Sequence, residues 1–157
     1  KMEGVIRRSS PTIRLKEVAL FNEQGLPCSM FNADNPIKIC VTYECLVDTI
    51  DLRIAVCIVD EENRNILISQ NTDDSGEAGH YERKKGTYKS FCTIPPNTFG
   101  QKRLYISIHL VNIKTEHLVL TKIMMFDVIF QGYNMQYGEW REAFLRPQLK
   151  WNTDFIG

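Results

Sequence analysis

From Ile13 onward the chain is a succession of short runs rich in Val, Ile, Leu, Tyr and Phe, separated by turn residues. The runs are Ile13 to Phe21, Ile37 to Cys45, Leu52 to Val59, Asn65 to Asn71, Thr87 to Ile94, Arg103 to Asn112 and Leu118 to Phe130. In the second, Ile37, Ile39, Val41 and Tyr43 alternate with Lys38, Cys40, Thr42 and Glu44. Period-two alternation puts one set of side chains on each face of a strand, and a 3.6-residue period fits none of the runs better. Asn22-Glu23-Gln24-Gly25 and Asp60-Glu61-Glu62-Asn63 read as turns, and Pro36 and Pro95-Pro96 fall between runs, where a missing N–H does no harm. Seven short strands with antiparallel-style turns predict an all-β, immunoglobulin-like antiparallel sandwich. The first helical stretch to consider is Trp140 to Leu145, after Gly138.

With 157 residues, one domain accounts for the chain and has enough length for a sizeable core. Lys1 to Pro11 is polar and reads as a linker from a preceding domain, leaving 12–157 for the sandwich and a C-terminal tail or exchanged strand from about 132. Nineteen basic residues balance nineteen acidic ones, which argues against a nucleic-acid partner. No run approaches the roughly 18 apolar residues of a membrane-spanning helix. Cys28, Cys40, Cys45, Cys57 and Cys92 are odd in number, lack a Cys-x-x-Cys pair and mostly sit in apolar runs. They read as reduced, largely buried thiols of a cytoplasmic protein.

Catalytic signatures are sparse. No nucleophile elbow, phosphate-cradling glycine loop or His-Glu-x-x-His occurs, and His80, His109 and His117 lack zinc-site spacing. Asn71-Thr72-Asp73-Asp74-Ser75-Gly76 with Glu82 has the spacing of a calcium loop, but Asn replaces Asp at its start and strands replace the flanking helices. It reads as a polar connection. Arg83-Lys84-Lys85 reads as a solvated basic turn. No cofactor and no metal are called for, and the chain is not expected to be an enzyme.

The order of the pieces resembles a known family. It runs from Val18-Ala19-Leu20-Phe21-Asn22-Glu23-Gln24-Gly25 through Met30-Phe31-Asn32-Ala33-Asp34-Asn35-Pro36-Ile37 to the hairpin Ile54-Ala55-Val56-Cys57-Ile58-Val59-Asp60. Ile94-Pro95-Pro96, Leu104-Tyr105-Ile106-Ser107-Ile108-His109-Leu110, Phe126-Asp127-Val128, Arg146-Pro147 and Trp151 complete it. Together these resemble the C-terminal domain of the ATP-binding subunit of O-antigen polysaccharide ABC transporters. Two turns depart from the pattern, at Asn35 and at Gln101-Lys102-Arg103.

The resemblance implies a non-catalytic carbohydrate-binding module. It would recognise the capped non-reducing end of an O-antigen polysaccharide on the cytoplasmic side and couple it to export. Its partners would be the attached ATPase domain and the membrane-spanning transporter subunit, and the localisation cytoplasmic but membrane-associated through that complex. A homodimer is also implied, with Trp140, Phe144, Leu149 and Trp151 at the contact.

The expected glycan face follows from parity. If the third, sixth and seventh runs share a sheet and bury Ile54, Val56, Ile58, Ile106, Ile108, Leu110, Phe126 and Val128, alternation turns the other set outward. Ala55, Cys57 and Ser107 would then floor a shallow trough beside Thr121. Arg53, Tyr105, Ser107, His109 and Asp127 are the candidate sugar contacts, since saccharides take aromatic faces and planar polar groups. The competing function is a protein-interaction or dimerisation module that uses the tail aromatics, among them Tyr133 and Tyr137. A sandwich glycosidase would need two carboxylates about 5 to 9.5 Å apart, and Glu44, Asp48, Asp51 and Asp127 give no sign of converging.

Overall fold

The computed structural model describes residues 10–49, 52–74, 82–112, 116–130 and 143–156. Residues 1–9 of the expected linker Lys1 to Pro11, the loop residues 75–81, Tyr133, Tyr137 and Trp140 lie outside the described residues, as does Asp51.

Eight strands form two sheets. One has the order β1 (Ile13–Phe21), β3 (Ile37–Cys45), β6 (Gly86–Ile94), antiparallel throughout. The other has the order β2 (Met30–Asn32), β8 (Glu116–Ile129), β7 (Lys102–Asn112), β4 (Leu52–Val59), β5 (Asn65–Gln70). Its pairs are antiparallel except β2 with β8, which run parallel. The seven expected strands are present, and the third, sixth and seventh of them (β4, β7 and β8) do share a sheet. Two readings need correction. The three-residue β2 was not foreseen, being too short to show a period. The fifth run ends at Gln70, after which Asn71–Asp73 makes a single 3-10 turn.

One core lies between the sheets. Ile13, Leu15, Val18, Ile39, Val41 and Tyr43 meet Ile54, Ile58, Leu104, Ile106, Ile108 and Phe126 across it. Each fully buried side chain of this size is worth about 1.5–3 kcal/mol relative to exposure. All eight positions expected to face inward are buried.

Strict alternation fails twice, and a bulge resets it each time. Leu15 and Val18 are three residues apart, yet both are buried, because β1 bulges between Leu15 and Glu17. In β8, Leu120, Lys122, Met124 and Phe126 share one parity, which would aim Lys122 into the core. Instead Thr121, Lys122 and Ile123 all stand opposite Ser107, and Lys122 adopts φ 49°, in the left-handed region. The Lys122 N–H donates to Ser107 Oγ at 2.9 Å, which clamps the bulge.

The segment after residue 142 is extended and not helical. Phe99 and Leu145 form a β-bridge, Gly100 N–H donates to Phe144 O (2.9 Å), and Arg146 N–H donates to Thr98 O (3.0 Å). Phe144 packs half-buried on the core edge, with Lys102 Nζ 5.2 Å from its ring centre.

Candidate functional site

Three surfaces merit a chemical reading: the outer face of the five-stranded sheet, a groove along β8, and a cleft between the two sheets. Register fixes the first. Arg53 pairs with Val111, Ala55 with His109, and Cys57 with Ser107 between β4 and β7. Tyr105 pairs with Met125 and Arg103 with Asp127 between β7 and β8. Tyr105 and His109 are four residues apart on one strand, so about 13 Å separates them at about 3.3 Å per residue. The expected sugar contacts therefore form two groups.

At one end Arg103 and Asp127 make a two-pronged ion pair, Nε to Oδ1 at 2.9 Å and Nη2 to Oδ2 at 3.3 Å. The hydrogen bond to that carboxylate, with its charge, raises the guanidinium's pKa further. Asp127 is thus already engaged. Tyr105 is half-buried beneath Lys122, whose Nζ lies 5.0 Å from the ring centre and donates to the carbonyl of Glu61 in the β4–β5 turn. At the other end His109 Nδ1 and His117 Nε2 are 2.9 Å apart in a direct ring-to-ring hydrogen bond. Burial, and then the neighbouring His117, push the His109 pKa below its ordinary 6.5. Arg53, on β4, is half-buried.

The trough between the two groups differs from the expectation. Cys57 and Ser107 lie on this face but are only 4% exposed, and the Ser107 hydroxyl is held by the β8 bulge. Burial also raises the Cys57 thiol pKa. The two residues floor the trough on the outward face, as expected, but with almost no surface open to a ligand. Sequence reading joined neither His109 to His117 nor Arg103 to Asp127, because both contacts depend on cross-strand register.

The groove along β8 has a volume of about 740 Å³. Tyr105, Thr121, Lys122 and Met125 form one wall, and Cys28 and Ser29, ahead of β2, form the other. Tyr105 and Thr121 are the expected surface residues that reach it.

The cleft lies where β5 and β6, the edge strands of the two sheets, face one another without pairing. It too has a volume of about 740 Å³, with Val41, Ile54 and Val56 at its floor and Ser69, Asn71 and Ser90 on its walls. Apart from Asn71, weighed as the first position of a calcium loop, none of these was singled out from the sequence as a binding group. The available signal was the polar run Tyr88, Ser90, Cys92 in register with buried Ile94 on one face of β6.

The loop read against calcium spacing has other uses at its start. Asn71 Oδ1 accepts from Ile54 N–H (3.1 Å), and Asp73 Oδ2 accepts from Gln70 N–H (3.0 Å). Among the described residues no three His, Cys, Asp or Glu side chains converge as metal ligands. In the tail, Leu149 is 71% and Trp151 88% exposed, and Phe155 and Ile156 are more so.

The sequence matches no family model and no curated protein. Solved structures do match. The crystal structure of the C-terminal domain of Wzt superposes with a TM-score of 0.71 over 93% of this chain and 86% of its own, at 8% identity. A Niemann-Pick type C2 protein from the Japanese carpenter ant gives 0.53 over 77% of this chain and 96% of its own, at 12% identity. At such identities the likeness is one of fold.

Proposed function

We propose that this chain is a non-catalytic carbohydrate-recognition domain of the Wzt C-terminal type. It selects the capped non-reducing end of an O-antigen-type polysaccharide and couples that choice to export by an ABC transporter. The observation that carries this reading is the fold likeness to the Wzt C-terminal domain across 93% of the chain. The family resemblance read from the residues agrees with it independently.

Topology lends further support. The order β1-β3-β6 against β8-β7-β4-β5 corresponds to A-B-E against G-F-C-C′ of an immunoglobulin-like sandwich, with β2 an added parallel edge. On this reading the outer sheet face, with Arg53, Tyr105, Ser107, His109 and Asp127, meets the body of the glycan. Tyr105 supplies a ring, His109 and Arg53 supply polar edges, Asp127 acts through its pair with Arg103, and Ser107 shapes the floor. The domain works in the cytoplasm beside its ATPase and membrane-spanning partners.

The tail supports a homodimer. Leu149, Trp151, Phe155 and Ile156 are large apolar side chains that stand mostly exposed. A second subunit would bury them, together with Phe144 and Trp140. The same side chains favour the alternative of a dimerisation module without glycan binding.

Calorimetric titration of the 157-residue chain with O-antigen polysaccharides, capped and uncapped, separates the two. Binding confined to capped chains is the expected result. A dimer that binds no polysaccharide would leave only the interaction module.

A further inference from the structure

The cleft between β5 and β6 has a build that a closed sandwich would not need. Alternation turns Tyr88, Ser90 and Cys92 to the same side as buried Ile94; Tyr88 and Cys92 pack half-buried against the core, while Ser90 sets a hydroxyl between the sheets, its Oγ 3.5 Å from the Tyr43 hydroxyl. A closed core would place apolar side chains there. Tyr43, fully buried, stacks on Tyr88 with centroids 5.7 Å apart, and its hydroxyl accepts from Arg83 Nε at 3.1 Å. The inner end of the cleft is thus a rigid apolar floor with a fixed aromatic wall.

Asn71 gives the clearest pointer to a ligand. Its Oδ1 accepts from the backbone N–H of Ile54, which fixes which end of the amide is which. Its Nδ2 is buried and has no hydrogen-bond partner among the described residues. A buried donor left unmade costs about 1–3 kcal/mol, so a ligand acceptor placed there would recover that.

The walls also say what kind of ligand. An acyl chain carries no acceptor for Asn71 Nδ2 and would leave that donor unmade. An anion would meet Asp74 and Glu82 at the rim as well as Lys89 and Arg83, so neither sign of charge prevails. An uncharged sugar ring suits both halves: one apolar face for Val41, Ile54 and Val56, and hydroxyls for Asn71 Nδ2 and Ser90 Oγ. The volume of about 740 Å³ falls within the range of about 300–1,000 Å³ usual for small-molecule sites.

Resting on the carbohydrate reading above, we propose that this cleft is a terminal-residue subsite. The last sugar of the glycan enters between the sheets while the preceding residues lie outside. The core floor stops the chain. A cleft with a closed end discriminates a chain terminus from an internal segment, which an open sheet face does not do.

The test screens the 157-residue chain against an array of purified bacterial O-antigen polysaccharides, then maps the polysaccharide that binds by backbone-amide shifts. Shifts at Ser69 to Asn71 and Tyr88 to Cys92 are expected. Asn71→Asp keeps the acceptor for Ile54 and removes the donor, and should weaken binding about tenfold or more. Ser90→Leu fills the cleft and should do the same, which covers the case of an Asn71 variant that does not fold. Shifts confined to Tyr105, His109 and their neighbours, or unchanged affinity in both folded variants, overturn the subsite and leave the carbohydrate reading standing. Binding to no polysaccharide overturns both.

Discussion

Replacing Ser107 by Ala removes one oxygen, and its expected effect can be worked from the β8 bulge. Three residues of β8 face one of β7, so the ladder cannot satisfy every backbone group there. Ser107 Oγ takes the Lys122 N–H at 2.9 Å in a site where Ser107 is 4% exposed. Without the oxygen this donor loses its partner next to the core, for about 1–3 kcal/mol. In a domain of about 150 residues each kcal/mol lowers Tm by roughly 2–4 °C, so a drop of about 4–8 °C is expected for a loss near 2 kcal/mol. Lys122→Gly makes the matching control. It relieves a left-handed backbone at a non-glycine residue, worth about 1 kcal/mol, and loses the ammonium over Tyr105, worth about 0.5–1 kcal/mol at an exposed site. The two nearly cancel. Scanning calorimetry and urea titration of both variants provide the assay. Ser107→Ala melting with the wild type would show that the hydroxyl does not clamp the bulge.

Other consequences are as specific. Because the His109 pKa is depressed in the folded state, the unfolded chain binds more protons below 6.5, and stability should fall as pH drops from 6.5 to the folded pKa and then level off. Urea midpoints at pH 7.5 and 5.0 should differ less in His109→Gln than in the wild type, and an equal difference would refute the assignment. A methyl group at Gly100 would sit 2.1 Å from the Ala143 carbonyl oxygen, so Gly100→Ala must displace the segment that seats Phe144. A loss of about 1–3 kcal/mol by thermal unfolding and faster chymotryptic cleavage after Phe144 are expected; unaltered cleavage would count against the docking. Ending the chain after Arg146 removes Leu149 to Ile156 but keeps the Thr98–Gly100 contacts, and should convert the proposed dimer to monomer by light scattering with Tm measured on the monomer little changed. A persistent dimer would place the contact elsewhere.

Parts of this protein are written in its sequence. Alternation in Ile37 to Cys45 fixes which side chains of β3 enter the core, since a strand has only two faces. Turn residues such as Asp60 act locally: its carboxylate accepts from the N–H groups of Glu62 and Arg64, and from Arg64 Nε, all within five residues. Burial alone would raise that carboxyl's pKa, but these hydrogen bonds hold it below the usual range. The thiols likewise read correctly as free, with Cys40, Cys45 and Cys57 buried.

The candidate sites were less legible. Parity gave the face that carries Tyr105 and His109, but not what each touches there. The His109–His117 contact, the Arg103–Asp127 pair and the bulge that brings Lys122 over Tyr105 all depend on how β7 and β8 slide past one another. The cleft depends on something more remote, two edge strands of different sheets that face each other without pairing.

Composition, alternation and turn chemistry therefore determined an all-β chain, the inward set of unbulged strands such as β3 and β4, and the absence of a recognisable catalytic signature. Those features rest on interactions within a few residues, so a linear reading reaches them. Tertiary structure alone decided the strand order, the bulge that expels Lys122 and the cleft with its unpaired Asn71 donor. Each arises between residues far apart in the chain, where the geometry of packing two twisted sheets chooses which side chains meet.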